Sequence, residues 1–156
     1  MSKTTFNSSV RSRGGRREDD GVTPAGMLMS VQCSAQPSAS NLAVKVGTDP
    51  TDGEDLVLPK GAIIISFTML DNATGTTPTF DIGTSGDPDG IFNELDADAA
   101  DGTVIYPTGA LVLNGANGLA ADTAVTATNG SGGTPTSNMV GAMTYFIKDN
   151  GISGTL

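Results

Sequence analysis

"AIIISFTML", residues 62–70, is the most apolar stretch of the chain. Its β-branched residues fit a pleated strand better than a helix. Alternation then predicts Ile63, Ile65, Phe67 and Met69 on one face and Ile64, Ser66 and Thr68 on the other. "MVGAMTYFIK" (139–148) carries a matching face of Met139, Met143, Tyr145 and Ile147. Two such faces can close on each other to make the core of a sandwich.

Working outward, seven more stretches read as strands: "MLMSVQC" (27–33), "LAVKV" (42–46), "DLVLP" (55–59), "TPTFDIG" (77–83), "TVIYP" (103–107), "ALVLN" (110–114) and "TAVTAT" (123–128). Turn-forming clusters such as "TDPTDGED", "DNATGTT", "GTSGDPDG" and "NGSGGTPTSN" separate them. Only "GIFNELDADAA" (90–100) has spacing that suits a helical turn, through Ile91, Phe92 and Leu95. The expected fold is all-β: a β-sandwich or jelly-roll-like body over 26–156, preceded by an extended arm over 1–25. Met27, Leu28 and Met29 begin the first strand and either pack in the core or line a subunit seam.

Charge divides the chain the same way. The formal net charge is −9 over 156 residues. Lys3, Arg11, Arg13, Arg16 and Arg17 are five of its eight basic residues, and all seventeen carboxylates follow position 17. Residues 18–156 therefore hold three basic residues and a formal charge of −14. Such a body repels phosphates, which argues against direct nucleic-acid binding. The leader, "SVRSRGGRREDDG" (9–21), is polar and broken by glycine, so it is expected to take fixed structure only on a partner. Fully extended, the first 21 residues reach at most roughly 70 Å at about 3.3 Å each. That is enough to cross a neighbouring subunit. Phe6, Arg11, Arg13, Arg16 and Arg17 are the candidate partner-binding residues of this arm, with Phe6 as an apolar anchor.

Catalysis finds little support. The chain has no histidine, the commonest general base. Its one cysteine, Cys33, can form no internal disulfide and reads as a small apolar filler of a strand. The acidic stretch from Asp87 does not keep the register of a calcium loop, and no phosphate-binding loop is present. No apolar run approaches a membrane span. The expectation is a non-enzyme without cofactor or metal, assembled in a cytoplasm.

Within 58–103, "LPKGA" (58–62) leads the hydrophobic strand and "TFDIGTSGDPDG" (79–90) follows after a small-residue turn. These motifs, with the later "DTAVTAT" and "MTYFIKDN", resemble a recurrent pattern in structural proteins of tailed bacteriophages, cyanophages included. The pattern is similar to that of small capsid decoration or cement proteins and covers roughly residues 55–150. The resemblance implies a virion protein on the capsid surface, often a homotrimer, that contacts the major capsid protein and braces the shell. The competing reading is a phage fibre or tail component whose acidic loop, 84–102, binds a host-surface carbohydrate beside Phe92 and Tyr106.

Overall fold

The computed structural model describes residues 28–113 and 118–147, together with the backbone of two short strands upstream. In chain order the elements are β1 (Arg16–Arg17), β2 (Pro24–Ala25), β3 (Leu28–Ala35), β4 (Leu42–Ala43), β5 (Lys45–Val46), β6 (Val57–Leu58), β7 (Ala62–Asp71), β8 (Thr79–Thr84), β9 (Asp87–Asp96), β10 (Val104–Ile105), one helical turn α1 (Ala110–Leu113), β11 (Thr123–Ala124), β12 (Thr126–Asn129) and β13 (Met139–Ile147). The fold is all-β, and every strand pairing is antiparallel.

Two larger sheets form most of the body, beside a two-stranded sheet of β6 and β11. One larger sheet runs β10-β7-β13-β3-β5 and the other β4-β12-β8-β9. Their facing side chains make one core: Met139, Met143, Tyr145, Phe67, Met69, Ile64 and Cys33 from the first sheet, and Phe80, Ile82, Ile91, Phe92, Leu95 and Ala127 from the second. Phe67 and Phe92 meet edge to face across the gap, with ring centroids 6.0 Å apart at 72°. Beyond the area it buries, such a pair contributes about 0.5–1.5 kcal/mol.

The two long strands predicted to face each other are neighbours in one sheet, β13 lying beside β7. Their predicted faces hold for Met139, Met143, Tyr145, Phe67 and Met69, which are all buried. They fail for Ile63 and Ile65, which are only half-buried, whereas Ile64 is in the core. The cause is a bulge. Thr144 pairs with Ser66 but Tyr145 pairs with Ile64, so Ile65 is an extra residue and the alternation shifts by one place.

Two other expectations are corrected. "GIFNELDADAA" lies largely in strand β9, where Ile91, Phe92 and Leu95 all reach the core around a second bulge. At that bulge Glu94 takes a positive φ of 55°, and its N–H donates to the Asp81 carboxylate at 2.8 Å. Conversely, "ALVLN" contributes the helical turn α1 rather than a strand. The chain reaches it through Gly109, whose N–H donates to Ile91 O at 3.0 Å. Gly109 sits so close to the backbone of Gly90 that no Cβ would fit there. This turn closes onto the open edge of β9, and Pro88 lies in that edge strand, where its missing N–H matters least.

Candidate interaction surfaces

The arm residues Phe6, Arg11 and Arg13 lie outside the described residues. Arg16 and Arg17 are described as backbone only, paired antiparallel with Ala25 and Pro24. Of the predicted seam, Met27 lies outside the described residues, while Leu28 is 68% exposed and Met29 37%. Core packing is thus ruled out for Leu28, and the seam alternative keeps its physical basis.

The acidic segment is mostly ordered hairpin. β8 and β9 are joined by a two-residue loop, Ser85–Gly86, and the Asp87 N–H donates to Thr84 Oγ1 at 3.1 Å. The carboxylates serve their own backbone: Asp81 holds the Glu94 N–H, and Asp96 accepts from the Asp98 N–H at 3.3 Å. Ser131 Oγ donates to the Glu94 carboxylate. The Asp98 carboxylate beside Asp96 pushes the Asp96 pKa above the usual carboxylate range. Among the described residues, no three Cys, Asp or Glu side chains are grouped to hold a metal ion. Phe92, offered by the sequence as a sugar-stacking ring, is 1% exposed and belongs to the core. Only Tyr106 presents an aromatic ring to solvent there, at 69% exposure.

Cys33 also serves packing. Burial pushes its thiol pKa up to about 12, against a smaller opposing hydrogen bond from the Met143 backbone. A thiol held neutral in this way is a poor nucleophile.

The sheet edges offer little to an added strand. Thr108 and Gly109 bond to Ile91 along β9, with the Asn93 N–H on Thr108 Oγ1 at 3.0 Å. At the β5 edge the Val46 N–H reaches Glu54 O at 2.8 Å, and Lys45 Nζ is 2.6 Å from Asp55 Oδ1. β10 is two residues long and is followed closely by Pro107. Natural sheets protect their edges in these ways.

The two outer sheet faces differ in charge. On the five-stranded sheet, register places three successive rows outward: Leu28, Phe146 and Ile63; Ser30, Thr144 and Ser66; Gln32, Ala142, Thr68 and Val104. None of these ten side chains is ionisable. The next row carries charge only at its ends, in Lys45 and Asp71. On the four-stranded sheet, Asp81 and Asp96 alternate with the buried Phe80, Ile82 and Leu95 and so point outward, with the exposed Glu94 beside them. One face is neutral and the other acidic.

A similar chain is found among the solved structures. It belongs to a cyanophage Pam1 capsid asymmetric unit and superposes with a TM-score of 0.47 at 20% identity, covering 89% of this chain and 98% of that one. No protein-family model matches the chain, and no curated protein sequence does.

Proposed function

We propose that the protein is a phage capsid decoration protein, which binds the outside of the shell and stabilises it through its basic arm and its body surfaces. The observation that carries this reading is the distribution of charge. A body of formal charge −11 over residues 26–156 leaves three rows of one sheet face uncharged, turns carboxylates outward on the opposite sheet, and is led by a segment rich in arginine. That pattern suits a molecule with one side against neighbours and one side in solvent. The resemblance of 58–62 and 79–90 to phage structural proteins gives the neighbours their identity: the major capsid protein and further copies of the chain, as a homotrimer, on a virion assembled in the host cytoplasm.

In this reading Phe6, Arg11, Arg13, Arg16 and Arg17 reach across to the shell, and the acidic face keeps the particle surface from trapping nucleic acid. A ligand that binds the assembled lattice better than free subunits stabilises the lattice by that difference. The fibre alternative loses one of its two rings, Phe92, which is buried, and keeps the exposed Tyr106. The test is co-sedimentation of the full chain with empty shells of the phage that encodes it. Retention on shells but not on free major capsid protein supports the reading, and equal or absent binding contradicts it.

A further inference from the structure

The neutral sheet face does not suit a basic partner, which the acidic sheet opposite would attract more strongly. It suits a partner that shares the body's own negative charge. The partner certain to do so is another copy. Two bodies of charge −11 meeting through any carboxylate-bearing surface bring like charges together, which costs binding free energy. Three rows of uncharged side chains centred on β13 are where that cost is smallest. The same face carries an apolar row, Leu28, Phe146 and Ile63, with Val104 on its flank. Leu28 is 68% and Val104 48% exposed. Such side chains gain from leaving water.

We infer that the outer face of the β10-β7-β13-β3-β5 sheet is the surface through which a second copy of this chain docks, with Leu28, Phe146 and Ile63 as its apolar anchor and Gln32 and Thr144 near its centre. This inference rests on the proposed surface-contact role and names the partner of one surface. Because the sheet edges are largely occupied, the contact is made by side chains across a face and not by strand addition.

Salt gives the contact a signature. Screening weakens repulsion between like-charged bodies, so self-association through a neutral face tightens as salt rises. An arginine-mediated contact behaves in the opposite way.

The test is sedimentation velocity on the full chain over a range of concentration and salt, for wild type, Gln32→Glu, the double variant Gln32→Glu with Thr144→Glu, and Ala120→Glu. Ala120 is exposed and lies outside the face. Circular dichroism confirms that each variant folds; Gln32→Glu is nearly isosteric and secures one folded test. Wild type and Ala120→Glu should assemble alike and more tightly at high salt. Gln32→Glu should weaken assembly, and the double variant should weaken it by more than about tenfold, since charges buried without partners are costly. A wild type that stays monomeric, a double variant that assembles like wild type, or assembly lost only on deleting residues 2–20 would overturn the inference. Shell binding separates the two readings. A folded monomeric variant still retained on shells leaves the decoration role standing, whereas a wild type that self-associates but ignores shells removes that role alone.

Discussion

The ring of Phe67 lies directly over the backbone of Gly141, so close that a methyl group there would fall inside the ring. Gly141 pairs with Met69 on one side and Cys33 on the other. Glycine is required here by space and not by backbone angle. The missing side chain lets Phe67 reach Phe92 in the opposite sheet.

Gly141→Ala should therefore destabilise the fold by about 1–3 kcal/mol through overpacking. Phe67→Ala should cost about 3–5 kcal/mol, because it removes a fully buried ring and leaves a cavity. In the double variant Phe67→Ala with Gly141→Ala, the smaller side chain makes room for the new methyl, so the combined loss should be less than the sum of the singles. Urea unfolding measures all three; strict additivity would contradict the packing described.

Cys33 should resist thiol reagents in the folded protein. At 1% exposure and with its thiol pKa pushed up to about 12, both access and ionisation are withheld. Labelling with a disulfide reagent at pH 8 should be slow in buffer and fast in denaturant. Rapid labelling of native protein would show that the face of β3 toward the core opens readily.

Asp96 should be a small liability at neutral pH. Its pKa is raised by Asp98, so the folded state binds the proton more tightly than the unfolded chain does. The sign follows: this group favours folding below the usual carboxylate range and opposes it once pH rises through the raised value. Asp96→Asn should therefore raise the melting temperature at pH 7 slightly and lose that advantage below the usual carboxylate range. The residue is largely solvated, so the effect is small. A stability loss at pH 7 would contradict the sign.

Deleting residues 2–20 should leave the body's circular dichroism unchanged and weaken its binding to shells. Neutralising Arg11, Arg13, Arg16 and Arg17 should also flatten the salt dependence of the binding that remains, since fewer charge contacts are left to screen. Binding that keeps its strength and salt slope in both variants would assign the attraction to the body.

Much of the fold was legible because alternating apolar residues and turn clusters act locally. Eight of the nine predicted strand stretches contain strand, and the long ones fall near their expected places. What escaped was set by tertiary packing. The bulge at Ile65 moved Ile64 into the core and turned Ile63 outward, a shift that depends on the partner strand β13. "LAVKV" and "TAVTAT" are each divided between sheets at Val44 and Val125, which are joined by a backbone hydrogen bond at 3.0 Å and are both buried. Helical spacing in "GIFNELDADAA" misled because a bulge lets a strand bury unevenly spaced residues. The neutral face could not be read from sequence either. It exists only once register brings Gln32, Thr144 and Thr68 into neighbouring rows from three strands.

Electron microscopy of phage particles that contain this chain tests the central claim most directly. The account predicts density for the two-sheet body on the outer surface of the shell, its acidic sheet carrying Asp81 and Asp96 toward solvent and its leading segment running onto a neighbouring subunit. Particles with the body inside the shell or on a tail fibre would contradict it.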